Sequence, residues 1–176
     1  MTRVTSQFTF CSPSKILRQA VIEQNNFNIT TAIFNLGNSN IEPANTLFLD
    51  GIISNAIISL KENIRAEKIA GQTYEYQYLD LSYSFPIDEI KPTKKPLILD
   101  FGTNDFEVIN NTLTQTNKML MHFTVFEIIA ACTYYPALLL NISNSIEVNN
   151  YSRLVLWENI DFENKKITQQ TRIRVI

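Results

Sequence analysis

The chain has 176 residues, a formal net charge of −2, 45% hydrophobic residues and 18% charged residues. That apolar share supplies a buried core and excludes a disordered chain, while only 4 glycines exclude collagen-like or glycine-rich architectures. The slightly acidic balance argues against a protein whose main work is neutralising nucleic-acid phosphate, so no direct nucleic-acid readout is expected.

Met1 to Phe8 lacks the apolar run of a secretory signal. Val4 to Phe10 alternates loosely and predicts a short strand. Ser12 and Pro13 carry the chemistry of a helix cap and first turn, and Ile16, Leu17, Ala20 and Val21 share one helical face, so a helix is expected from there. Asn28 to Leu36 is rich in β-branched residues and predicts a strand ending at Gly37-Asn38. From Asp50 to about Ile69, the residues Ile53, Ile57, Leu60 and Ile64 recur at helical spacing, which predicts a second helix closed by Gly71.

Thr73 to Phe85 reads as a strand whose apolar phase switches. Tyr74, Tyr76 and Tyr78 occupy one phase, and Leu79, Leu81, Tyr83 and Phe85 the other, which predicts a bulge or sharp bend within two residues of Tyr78. In the segment 86–96, Pro86, Pro92 and Pro96 flank Lys91, Lys94 and Lys95, the composition of an exposed loop or arm. Leu97 to Phe101 predicts a short buried strand, turned by Gly102-Thr103-Asn104-Asp105 and continued by Phe106 to Ile109. Met119 to Ile142 is the longest apolar stretch. His122, Glu127 and Pro136 interrupt it as a membrane span, and its aromatic and β-branched content favours two core strands broken at Pro136 over a buried helix. Arg153 to Trp157 and Ile167 to Ile176 read as antiparallel strands around a polar turn at Asp161 to Lys166. The expected fold is a single α+β domain, 1–176, with two helices packed on a largely antiparallel, bent sheet.

Among candidate sites, the turn after the Leu97 strand is the most site-like. Asp100 and Asp105 could present two carboxylates to a divalent metal, or could instead cap their own backbone, and the second reading carries more weight. Asp100-Phe101-Gly102 also spells a kinase motif, but no catalytic-loop His-Arg-Asp and no Gly-rich loop accompany it. His122 is the sole histidine and has no nucleophile elbow to serve, so it reads as a hydrogen-bonded residue in a sheet. Cys11 and Cys132 read as two free thiols. Tyr74, Tyr76 and Tyr78 are candidate interface residues, since Tyr is enriched where subunits meet, and Arg172 and Arg174 on the last strand read as a rim that meets acidic residues on a partner, ahead of a small phosphate-binding patch.

No catalytic or metal residue and no cofactor is assigned. Ile and Asn together form about a quarter of the chain, as AT-rich codons would give. With the strand-rich pattern, this points to a non-enzymatic structural subunit of a larger assembly, such as a phage or viral virion component of head, neck or tail. Its partners would be protein subunits, and its location the virion or host cytoplasm. The alternatives are a small acidic protein-binding module of the immunity or inhibitor type, and a metal-dependent enzyme using Asp100/Asp105. In the assembly reading, contacts come from open sheet edges at Val4 to Phe10 and Ile173 to Ile176.

Overall fold

In the computed structural model, which describes residues 1–36, 45–63, 75–82 and 90–176, the N-terminal segment forms β1 (Thr2–Ser12). A two-residue turn at Pro13-Ser14 folds the chain back as β2 (Lys15–Arg18), with Ser12 opposite Lys15. The expected first helix is therefore a hairpin. Ser12-Pro13 serves as turn chemistry between two extended runs rather than as a helix start. Gln19 takes a positive φ of 47° and kinks the return, which resumes as β3 (Ala20–Gln24) on the same edge of β1. β4 (Thr30–Asn35) follows antiparallel to β3, where the Asn28 to Leu36 run predicted a strand. Gly37-Asn38 lies outside the described residues.

The expected second helix is replaced, over its first six residues, by the end of β5 (Thr46–Asn55). Ile53, Ile57 and Leu60 are all buried, but in three separate apolar clusters: one on a strand, one in a connection, and one in the helical segment α1 (Leu60–Asn63). Their spacing imitates a helix because a doubly covered strand runs into a buried loop. Ile64 and Gly71 lie outside the described residues.

β5 runs parallel to β1 and, from Ile52, antiparallel to β8 (Leu154–Glu158), which pairs with β9 (Arg172–Val175). The sheet order is β4-β3-β1-β5-β8-β9, with β2 alongside β1. Only the β1–β5 pairing is parallel, so the sheet is largely antiparallel, and it is bent. The fold is α+β, as expected from the sequence. β1, however, is central. An N-terminal segment with β3 on one side and β5 on the other is not an open arm, and deleting Met1 to Phe10 would remove the middle of the sheet. β9 is an edge, as expected.

A two-stranded parallel sheet, β6 (Gln77–Asp80) with β7 (Leu97–Asp100), stands apart from the large one. The chain bends at Tyr76, within two residues of Tyr78. The phase switch itself passes through an unbroken register, with Tyr78 opposite Ile98 and Leu79 opposite Leu99. Both phases are tolerated because β6 is half-buried on both faces. The segment 90–95 is an irregular exposed connection, as its prolines and lysines predicted, apart from half-buried Ile90.

Three helices follow. α2 (Phe106–Thr116) starts where the turn was expected to continue as strand, with Asp105 as its N-cap. α3 (Val125–Cys132) and α4 (Tyr134–Leu140) occupy the stretch expected to be two strands. The deciding local signal is a capping box. Thr124 Oγ1 accepts from Glu127 N at 3.3 Å, while the Glu127 carboxylate accepts from Thr124 N at 2.6 Å. Pro136 sits in the first turn of α4, where its missing N–H is harmless, and Asn141 closes that helix with a φ of 55°. His122 is exposed on the turn before α3, not on a sheet as expected. Among the described residues, no helix is long and apolar enough to cross a membrane.

The main core lies between the large sheet and this helical layer. Phe10, Ile52, Val155 and Trp157 from the sheet meet Leu97 and Leu99 of β7, Ile109 and Leu113 of α2, and Ile128 and Ile129 of α3. The opposite sheet face is covered by Ile146 over Val4, Ile22, Ile53 and Leu156. Cys11 and Cys132 are buried free thiols, as expected.

Candidate functional site

β7 is buried at every position and ends in a carboxylate, Asp100, that has no solvent exposure. A buried charge needs full hydrogen-bond compensation, and Asp100 has it. Its Oδ1 accepts from Ser59 Oγ at 3.2 Å, Leu60 N at 3.3 Å and Gly102 N at 2.9 Å. Its Oδ2 accepts from Lys61 N at 3.2 Å and from the Tyr78 hydroxyl at 2.9 Å. Five donors exceed the roughly four lone-pair directions of a carboxylate. Asp100 thus ties α1, β6 and the turn after β7 into one unit.

Gly102 completes the turn. Its φ is 68°, and a Cβ there would stand 2.5 Å from the Ser82 Cβ. Asp80, opposite Asp100 in the register, ends β6. Its carboxylate takes an ion pair from Lys61 Nζ at 2.6 Å and hydrogen bonds from Ser82 N at 3.0 Å and Ser82 Oγ at 2.6 Å. Partial burial works to raise the Asp80 pKa, but the Lys61 and Ser82 bonds outweigh it and hold the carboxyl below its ordinary value. Lys61 also donates to Ser82 Oγ. This is a cation held by a carboxylate beside a hydroxyl that donates to the same carboxylate, and it does not supply a neutral base to activate the serine.

Tyr78 is kept protonated. Burial, the Asp100 charge, the hydrogen bond to Asp100 and the Asp80 charge all push its pKa far above the ordinary 10.0. Burial, and then the Asp100 charge, likewise push Cys132 far above 9.0. A pKa raised by folding gives stability that is complete below the unfolded value and lost as pH climbs above it. Urea denaturation from pH 7 to 11 is therefore expected to show stability falling from about pH 9 upward. Tyr78→Phe is expected to flatten the portion above about pH 10, at a cost of about 1 kcal/mol at neutral pH.

No family model matches the chain, and no curated protein matches it. Among solved structures, it is similar to a crystal structure of N-acetyl-D-glucosamine-6-phosphate deacetylase from Mycobacterium smegmatis, at 7% identity. That similarity covers 69% of this chain and 30% of the deacetylase, with a TM-score of 0.26, and carries no argument about fold or activity.

The residues singled out in the sequence are dispersed. Asp105 is exposed and its Oδ1 accepts from Glu107 N at 2.9 Å, so both aspartates of the turn cap backbone, the more heavily weighted of their two readings. Among the described residues, no group of three His, Cys, Asp or Glu side chains could hold a metal ion. Tyr74 lies outside the described residues. Tyr76 and Tyr78 pack on the small Leu60–Ile98 cluster, and the Tyr76 ring lies 6.1 Å from that of Tyr135. Arg172 and Arg174 are exposed on one face of β9, and Arg174 Nε pairs with Glu158 Oε1 at 3.0 Å.

One residue was not anticipated from the sequence. Asn110 of α2 reaches the outer edge of β9, where its Nδ2 donates to the Ile173 carbonyl at 3.0 Å and its Oδ1 accepts from Ile173 N at 2.7 Å. A side-chain amide thus stands in for a further strand at Ile173. An i, i+4 pattern with Ile109 and Leu113 facing the core leaves Asn110 beside it, but nothing local shows the strand it would meet.

Proposed function

We propose that the protein is a non-enzymatic subunit of a larger assembly, acting through contacts between subunits, with a phage or viral particle as its setting. The observation that supports this reading is the N-terminal half of β5. β8 begins pairing only at Ile52, so among the described residues Thr46 to Leu49 pair with β1 on one side and leave the other edge open. Leu47 and Phe48 are consecutive there, so they face opposite sides of the sheet, yet they are 55% and 67% exposed. The strand register brings Met1 and the turn holding Phe27 to the same end of the sheet, and both residues are exposed. Tyr151, bridged to Ile29, is exposed there too. An open edge flanked by apolar side chains on both faces is what an added strand from another chain would cover. A stable contact of this kind buries on the order of 1,600 Å² in total.

This moves the expected contacts away from the N-terminal strand itself and from the internal Tyr76 and Tyr78, to the edge of β5. Sedimentation velocity of the wild type beside the Leu47→Lys/Phe48→Lys double variant tests it. The wild type is expected to self-associate or to join a multisubunit particle. The double variant is expected to sediment as a monomer with an unchanged melting temperature, since both side chains are exposed. A wild type that stays monomeric at high concentration with no partner would reject the reading, and so would a variant that assembles normally.

A further inference from the structure

A cavity of about 320 Å³ lies between the 92–96 loop, the Pro13 turn and α3, at the small end of the range that holds small-molecule ligands. Its buried lining is apolar: Phe10, Leu97, Phe123 and Ala130. Two aromatic walls are braced from behind. Phe126 packs edge-on to Phe8 with centroids 5.7 Å apart, and Tyr135 packs edge-on to Tyr134 at 5.5 Å.

The rim differs from the floor. Lys94 and Lys95 line it, both exposed and neither in an ion pair within the described residues. Among the described lining residues the one carboxylate, Glu127, is bonded to Thr124 N and Oγ1 in the α3 capping box. The lysine-bearing loop is also held in shape. Gln77 N donates to the Pro96 carbonyl at 2.8 Å, Lys95 N donates to Thr93 Oγ1 at 3.2 Å, and Thr93 Oγ1 lies 3.2 Å from Gln77 Oε1. An apolar and aromatic floor of this size beneath two exposed lysines complements one kind of molecule.

We propose that this groove binds a small amphipathic carboxylate, with an aromatic body seated between Phe126 and Tyr135 and its anionic head at Lys94 and Lys95. The anchored loop lowers the ordering cost of binding. The reading is independent of the assembly role, because the groove and the open β5 edge share no residue.

Heteronuclear NMR titration with 3-phenylpropionate as the probe tests it. Saturable shifts are expected at the amides of Leu97, Phe126, Ala130 and Tyr135. The Lys94→Glu/Lys95→Glu double variant, altered only at exposed positions, is expected to keep its fold and to bind about tenfold more weakly. The neutral isostere 3-phenylpropanol is expected to be weaker than the carboxylate on the wild type. Absence of saturable shifts at tens of millimolar probe would overturn the proposal. So would equal binding of the alcohol, or affinity unchanged in the double variant.

Discussion

Asp100→Ala is expected to lower the unfolding free energy by about 4 kcal/mol or more, enough to unfold a domain of ordinary stability under mild conditions. The reason is what the substitution leaves behind. Ser59 Oγ, the amides of Leu60, Lys61 and Gly102, and the Tyr78 hydroxyl all lose their bonds to Asp100 at once. Each buried donor left unsatisfied costs about 1–3 kcal/mol. Asp100→Asn keeps one oxygen acceptor but turns an NH₂ toward donors, so an intermediate loss is expected. Chemical denaturation of the three proteins gives the ranking. A metal-binding role for Asp100 makes the opposite forecast: a variant as stable as the wild type that differs only in its response to divalent ions.

Gly51→Ala is expected to be comparably severe from a different cause. The β1–β5 register slips by one residue between Ser6 and Phe8, opposite Leu49 and Ile52, and Gly51 sits in that irregularity with a φ of 141°. A Cβ at Gly51 would stand 2.1 Å from the Trp157 carbonyl oxygen. The obstacle is the backbone of β8, which cannot swing aside as a flexible side chain would. Strain at a glycine-only φ and overpacking each cost about 1–3 kcal/mol, so a loss of about 2–6 kcal/mol is expected by denaturation. Because β8 must move, Trp157 fluorescence should change as well. An alanine variant with wild-type stability and emission would contradict the close approach.

Much of the strand layout was legible because its signals are local. β-branched content marks β4, unbroken apolar runs of three and four mark β7 and β8, and alternation marks β9. The exposed Pro–Lys loop was legible because proline cannot donate in a sheet interior. The helices were misplaced where a local pattern had two readings. Ser12-Pro13 suits a helix start and a hairpin turn equally well, and only pairing between Phe8–Ser12 and Lys15–Arg18 decides. At Thr124-Val125-Phe126-Glu127 the sequence holds a capping box, and that local helix start prevails over the β-branched content that reads as strand. The role of Asp100 was half legible. Its bond to Gly102 N is two residues away, whereas Ser59, Leu60 and Lys61 approach from about forty residues upstream, beyond any local reading. Asn110 was out of reach for the same reason.

The central position of β1 also orders events during synthesis. The hairpin of β1 with β2 and β3, and the addition of β4, need only the first 35 residues. β5 can then join β1, but its core half gains a second neighbour only when Trp157 and the rest of β8 emerge, about a hundred residues after Ile52. Until then a growing chain carries a partly built sheet in which the segment buried in the finished fold, Ile52 to Asn55, is uncovered on one edge. Closure of that gap is a contact between distant parts of the chain, and such contacts form slowly. The nascent protein therefore has a window in which its future core is a pairing surface for other nascent copies, and crowding on one messenger would lengthen the reach of that hazard.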